Sequence, residues 1–210
     1  TARYTTELSL ANPGEADATV ALRYTASLGD KLGSGTVSKS VPAGGQVRFP
    51  DALSALRSRG LAIPEDGPQG GVLVVEAEGA AVVATARTTT SVAEPEGRAG
   101  VAYVGLGESE RRTGAATVFG LRSTATDRSN LAVLSTSDEP VEVRVTAFDG
   151  DTGATAVVEE ARTLPAYGWF QVDGVLDRAG FRNGWVTVER TSSTGTFSAY
   201  GVVNDNVTND

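Results

Sequence analysis

The sequence predicts an all-β protein made of two tandem antiparallel β-sandwich domains of immunoglobulin-like architecture, each with one short helix. Three observations predict this fold: short segments of alternating apolar and polar residues, turn-forming residues between those segments, and an internal repeat that covers most of the chain. The 210 residues also suit two domains of about 100 residues each.

The alternation is clearest in ATVALRY at 18–24 and VEVRVTA at 141–147. In the second segment valine and alanine occupy one face, whereas glutamate, arginine and threonine occupy the other. A period of two with a polar outer face is typical of a half-buried antiparallel strand. Turn-forming residues precede the first segment in ANPGEAD at 11–17 and follow the second in FDGDTG at 148–153.

The repeat is most visible where VPAGGQVRFPDAL at 41–53 returns as LPAYGWFQVDGVL at 164–176. One constant spacing relates the two copies up to this point, and the spacing then shortens because copy one carries an insertion within 57–70. The repeat predicts two copies of one supersecondary unit with equivalent apolar positions. The matched positions are Leu8, Val20, Leu22, Val47, Phe49 and Val72 with Leu131, Val143, Val145, Phe170, Val172 and Trp185. We expect Trp185 to belong to the core.

One short helix is predicted in each copy, over PDALSALRSRGL at 50–61 and over DGVLDRAGF at 173–181. Each segment ends in glycine followed by an apolar residue, a pattern typical of a left-handed helix C-terminus. The predicted N-caps are Asp51 and Asp173, and the predicted C-terminal glycines are Gly60 and Gly180.

The hinge-like stretch EPEGRAG at 94–100 predicts the domain boundary. We expect a first sandwich over residues 1–97 and a second over residues 98–210. The second is predicted to begin with two leading strands, at 101–107 and 116–121.

The two copies are also predicted to differ in their outermost strands. The strand at 116–121 has no counterpart in copy one, and the strand at 101–107 has none in copy two. An unfilled strand position exposes backbone donors and acceptors, which soluble proteins avoid. We therefore expect flanking residues, other protein modules or further copies of the chain to fill these positions by strand addition.

The turns, the LPAYGWFQV corner at 164–172 and the closing AYGVVNDN at 199–206 resemble tandem modules of secreted and cell-surface proteins from GC-rich bacteria. The resemblance covers most of both copies and implies an immunoglobulin-like architecture. It implies an extracellular or cell-surface location and a structural, spacer or adhesive role, including that of a subunit in a surface polymer or filament.

Composition bears on several other functions. The net charge of −8 argues against a nucleic-acid partner, because phosphate binding needs a basic face. The chain has no His and no Cys, so a Ser-His-Asp triad and a thiolate nucleophile cannot form. The longest apolar runs, at 71–75 and 80–84, are too short to span a bilayer. We therefore expect no catalytic residues, no cofactor and no membrane span.

Two candidate sites remain. The loop DGDTG at 149–153 resembles the opening of a calcium loop, so it is either a plain hairpin turn or a Ca²⁺ site held by Asp149 and Asp151. At the repeated corner, Tyr167 and Trp169 stand where copy one has Gly44 and Gln46. These aromatic residues either cover the neighbouring helix or domain junction, or they bind a glycan or protein surface, since such surfaces use rigid amphipathic rings.

Overall fold

The computed structural model describes residues 4–29, 32–93 and 96–207, in which the chain is all β apart from two short α-helices and one turn of 3₁₀ helix. The chain divides into two compact units, Thr1–Leu106 and Gly107–Asp210. Antiparallel sheets build both units, so the predicted all-β sandwich class is confirmed.

Within the described residues of the first unit, seven strands and one helix follow one another along the chain. They are β1 (Thr5–Ala11), β2 (Ala18–Ala26), β3 (Gly35–Val41), β4 (Gln46–Phe49), α1 (Ala52–Arg57), β5 (Gly71–Glu78), β6 (Val83–Val92) and β7 (Gly97–Val104). The sheet orders are β4-β1-β6-β7 and β3-β2-β5. Apolar residues of both sheets and of α1 share one core, which includes Leu10, Val20, Leu22 and Leu56.

In the described part of the second unit there are again seven strands and one α-helix. They are β8 (Ala115–Arg122), β9 (Asp127–Ser135), β10 (Val141–Asp149), β11 (Thr155–Leu164), β12 (Trp169–Val172), α2 (Val175–Ala179), β13 (Asn183–Arg190) and β14 (Phe197–Asp205). The sheet orders are β12-β9-β14 and β11-β10-β13-β8. Phe197, Val143 and Leu176 are fully buried in the core between these sheets.

The repeat seen in the sequence is a repeat of strand pairing. Leu8 pairs with Phe49 as Leu131 pairs with Val172. The order β3-β2-β5 likewise matches β11-β10-β13, and β4-β1-β6 matches β12-β9-β14. The two units are therefore copies of one fold that differ in their outermost strands.

Among the described residues, each copy has one strand that the other lacks, and the two strands join opposite sheets. In the first unit β7 pairs with β6 along its whole length. In the second unit β8 pairs with β13. In the described chain no strand pairs with the second edge of β5, which corresponds to the edge of β13 that β8 occupies.

The structure places residues 101–107 differently from the prediction. Residues up to 104 lie in β7, which pairs with the first unit, and the division between the units follows Leu106. Consecutive antiparallel strands tend to pair with each other, and β7 directly follows β6 in the chain. The predicted hinge begins at residues 94 and 95, which lie outside the described residues. The strand predicted at 116–121 lies in β8 of the second unit.

The helix ends agree with the sequence except at one N-cap. Asp51 accepts a hydrogen bond from the Ser54 backbone N–H at 3.0 Å, as predicted. In α2 the N-cap is Gly174 in the left-handed region, so the prediction of Asp173 is wrong. Gly174 is held there because its N–H donates to the side chain of Asn130 at 3.0 Å. The predicted C-terminal glycines, Gly60 and Gly180, both have positive φ.

Candidate functional site

The candidate site is a row of three aromatic side chains on the outer face of the sheet β11-β10-β13-β8. In β13 Val186 and Val188 are fully buried in the core. Successive side chains of a strand point to opposite faces, so Trp185 and Thr187 point outward. Phe148 lies directly opposite Trp185 and shares this outer face.

The rings of Phe148 and Trp185 stack, with centroids 3.8 Å apart and planes within 2°. The ring of Phe119, on β8, lies on the other side of Trp185 at 5.7 Å with a tilt of 38°. Trp185 therefore has an aromatic neighbour on each side. Phe119 ends the row and is 70% exposed, whereas Phe148 and Trp185 are half-buried.

A β-bulge brings Phe119 into the row. The pairing of β13 with β8 shifts between Gly184 and Val186, so that Phe119 and Gly120 together oppose Trp185. Gly120 has φ of 74°, which glycine adopts without strain. A bulge of this kind re-aims a neighbouring side chain.

A row of hydroxyl groups runs beside the aromatic row. Thr117 pairs with Thr187, and Thr187 pairs with Thr146, one step along the same outer face. Beyond the hydroxyl groups, Val157 of β11 lies opposite Thr146 and is 52% exposed. The surface thus offers aromatic rings next to hydrogen-bonding hydroxyls, a combination that suits an amphipathic partner.

The fold itself does not require this aromatic row. In the first unit Thr25 and Val72 form the pair that corresponds to Phe148 and Trp185. The described first unit has no strand that corresponds to β8, and therefore no counterpart of Phe119. One unit forms the same sandwich without the row, so sandwich formation alone does not explain it.

The prediction that Trp185 belongs to the core is wrong, and the sequence contained the signal that could have corrected it. Trp185 alternates with Val186 and Val188 and has the same parity as Thr187 and Glu189. The repeat matches Trp185 to Val72, which pairs with Thr25 on the outer face of its sheet and is nevertheless only 9% exposed, so the match indicated burial without indicating the face. Phe148 similarly has the parity of the outward residues in β10.

The predicted ligand residues Tyr167 and Trp169 lie on the other side of the second unit. Trp169 pairs with Leu134 in the sheet β12-β9-β14, next to the buried Phe170. Trp169 therefore points away from the core, and both predicted residues are half-buried. The structure does not bring them together with Trp185, because the two sheets face opposite directions.

Tyr167 occupies a backbone conformation that suits glycine. Its φ is 51°, and Gly44 at the matching position of the first unit has φ of 62°. Both residues lie in the same turn, in which the following glycine N–H donates to a proline carbonyl: Gly168 to Pro165, and Gly45 to Pro42. A tyrosine in this region carries backbone strain that the first unit avoids.

The two aspartates of the DGDTG loop organise the hairpin between β10 and β11. Asp149 accepts hydrogen bonds from the backbone N–H groups of Asp151 and Thr152, at 2.8 and 3.2 Å. Asp151 accepts one from the amide of Asn183 at 3.2 Å. Both carboxylates therefore have protein donors, and in the described ranges no group of three or more acidic side chains gathers as a metal site. The Ca²⁺ site stays a prediction.

Two adjacent glutamates of β11 contact different cations. Glu159 lies 3.7 Å from Arg178, whereas Glu160 pairs with Arg144. A separate carboxylate, that of Asp127, belongs to the first residue of β9. Hydrogen bonds from Thr126 and Thr124, together with Arg122, hold the pKa of Asp127 below its usual range.

The inserted segment of the first unit borders a cleft of about 200 Å³. The lining includes Tyr24, Leu28, Leu32 and Ile63 together with the polar residues Asp66 and Gln69. Burial raises the pKa of the Tyr24 hydroxyl. The cleft is where the loop between β2 and β3 meets the insertion.

Comparison with known proteins identifies no relative of this chain. The chain matches no protein-family model, and a search of curated proteins finds no match. Neither described helix has the length and apolarity that a bilayer crossing needs.

Proposed function

We propose that the chain is a non-enzymatic structural and adhesive module of an exported or cell-surface protein, in which the second unit carries the binding surface and the first acts as a spacer. The observation that supports this most strongly is the row Phe119–Trp185–Phe148, which the second unit has and the described residues of the first unit lack. Exposed clusters of aromatic residues are typical of interaction sites.

The proposal of a non-enzymatic role rests on residue types and placement. The sequence has no His or Cys, and the adjacent carboxylates of β11 pair with separate arginines. A general acid–base pair needs two groups that face the same reacting atoms.

Binding of a carbohydrate is the second candidate function. The hydroxyl row of Thr117, Thr187 and Thr146 could bond to sugar hydroxyls while the exposed ring of Phe119 stacks on a sugar ring. Trp169, on the opposite sheet, offers a different glycan surface, and the two are separable by mutation.

Retention of the full chain on solid supports tests the proposal. The supports are cellulose, chitin, a glycan array and beads that carry fibrous extracellular proteins. We expect retention on at least one support, and a loss of about tenfold or more in Phe119→Ser, as is typical when an exposed aromatic anchor is removed.

The matched control is Val104→Ser in β7, because Val104 is also 70% exposed on an outermost strand. Equal losses in both variants would indicate non-specific adsorption and contradict the proposal. Loss in Trp169→Ala alone, with retention on glycans only, would favour carbohydrate binding at the other sheet.

A further inference from the structure

The second edge of β5 differs from the equivalent edge in the second unit by one missing strand. β5 pairs with β2, and β13 pairs in the same way with β10. In the second unit β8 pairs with the other edge of β13, the edge that faces away from β10. In the described first unit β5 ends its sheet.

Core side chains of β5 show the effect of this missing strand. Leu73 and Val75 pack against the core but are only half-buried. Their counterparts beside β8 are Val186 and Val188, which are 0% exposed. The comparison indicates that the first unit leaves an apolar groove where the second unit has a strand.

Backbone groups along the groove point outward. The Ser27 N–H donates to the Gly70 carbonyl, which sets the hydrogen-bonding pattern between β2 and β5. Antiparallel ladders alternate, so Leu73, Val75 and Ala77 direct their N–H and C=O groups away from β2. Within β5 there is no proline or lysine, the residues that commonly block an exposed strand edge.

We propose that the free edge of β5 is an acceptor for an extended segment of a partner protein, which adds as an antiparallel strand with the residue pattern of β8. The second unit defines this pattern: Ala116 and Val118 lie opposite Val188 and Val186. Small or β-branched apolar residues at alternate positions of the partner segment would cover Leu73 and Val75.

Charge at one end of β5 further defines the partner. Glu76 and Glu78 occupy the carboxyl end of the strand, and both are exposed; Glu76 pairs with Arg23 at 2.8 Å, so Glu78 contributes most of the charge offered to a partner. An antiparallel partner brings its amino end to these carboxylates, so basic residues at that end favour binding. This acceptor edge belongs to the first unit and does not depend on the aromatic row of the second.

The test uses a fluorescent peptide of residues 111–122, RRTGAATVFGLR, added to the full chain. We expect saturable 1:1 binding, with slowed hydrogen exchange at the amides of Leu73, Val75 and Ala77. A peptide of the same composition, reordered to break the alternation, should not saturate, which controls for attraction to the acidic chain.

Substitutions at Ala77 test the edge itself. Ala77→Pro removes an outward N–H without removing a donor to β2, so binding should fall about tenfold or more. Ala77→Thr keeps the N–H and should bind like the parent chain. If Ala77→Pro does not fold, Ala77→Lys provides the second test, because it places a charge at an exposed position of the edge.

Several results would overturn the proposal. They are absence of saturable binding, equal binding by Ala77→Pro and Ala77→Thr, or protection that appears on β13 or β14 and not on β5. Self-association of the parent chain that Ala77→Pro abolishes, without peptide binding, would make a second copy the occupant and would equally contradict the proposed partner.

Discussion

Phe148 and Trp185 lie opposite each other on neighbouring strands, and their rings stack at 3.8 Å on the outside of the second sandwich. The stack belongs to a row of three rings, and the ring at one end of that row, Phe119, is exposed to solvent. Because it lies outside the core, its contribution to folding and its contribution to binding can be measured separately.

Removal of the central ring should have a moderate effect on stability. Trp185→Ala removes the contacts with Phe148 and Phe119, and we expect the free energy of unfolding to fall by about 1–2 kcal/mol. Urea denaturation measures the change. Thr187→Ala, on the same face of the same strand, is the control and should change stability by less than about 0.5 kcal/mol. Equal effects of the two substitutions would show that the stack does not stabilise the fold.

Removal of the ring at Tyr167, in the strained turn before β12, should not reduce stability. Tyr167→Gly should leave the free energy of unfolding unchanged or raise it by up to about 1 kcal/mol, because relief of the left-handed conformation offsets lost contacts. The reverse change, Gly44→Tyr, introduces that strain in the first unit and should destabilise by about 1–2 kcal/mol. Thermal unfolding of both variants measures this. A clear loss of stability in Tyr167→Gly would mean that the ring is a structural support.

Gly71 in the first unit and Gly184 in the second occupy matching positions at which a side chain would collide with backbone. A Cβ on Gly184 would lie 2.0 Å from the Phe148 carbonyl oxygen, and one on Gly71 would lie 2.0 Å from that of Thr25. Alanine at either position should cost about 3 kcal/mol or more, because backbone must move. Gly153→Ala is the control, since its positive φ costs about 1 kcal/mol but no atom lies within 4 Å of the new Cβ. Chemical denaturation should show a larger loss of stability for the alanine variants of Gly184 and Gly71 than for Gly153→Ala.

Much of the fold could be predicted from residue alternation and from the repeat. The inward residues Val141, Val143 and Val145 are fully buried as their alternation indicates. The aromatic row could not be predicted in full, because stacking of Phe148 on Trp185 depends on which strands pair and in which register. Phe119 depends further on a bulge at Gly120, which alternation cannot reveal.

The strand at the end of the first unit shows a second limit. The segment GRAGVAYV over Gly97–Val104 has the pattern of a strand in either domain. Its assignment depends on which exposed edge lies nearer, a tertiary property that local sequence does not contain. The sequence did indicate that each copy has one strand without a counterpart, and the topology of β7 and β8 agrees with this.

Acid should weaken the fold partly through Asp127. Its pKa is lowered by hydrogen bonds, so its contribution to stability is present above the pKa of the unfolded chain and is lost as pH falls through the folded value. Asp127→Asn should therefore be less stable than the parent at pH 7, and the difference should vanish at about pH 2. Urea midpoints across this pH range measure it, with Asp138→Asn as the exposed control. A difference that stays constant with pH would contradict the role of the carboxylate.

The fluorescence of Trp185 tests the proposed binding surface most directly, because Trp169 and Trp185 are the two tryptophans of the chain and lie on opposite sheets. Trp169→Phe leaves Trp185 as the sole reporter, and Trp185→Phe leaves Trp169. Each variant is titrated with soluble fragments of the support that retains the full chain. Binding at the aromatic row predicts a saturable change in the emission of Trp185 and no change in that of Trp169. A response from Trp169 alone, or from neither tryptophan while binding persists, would contradict it.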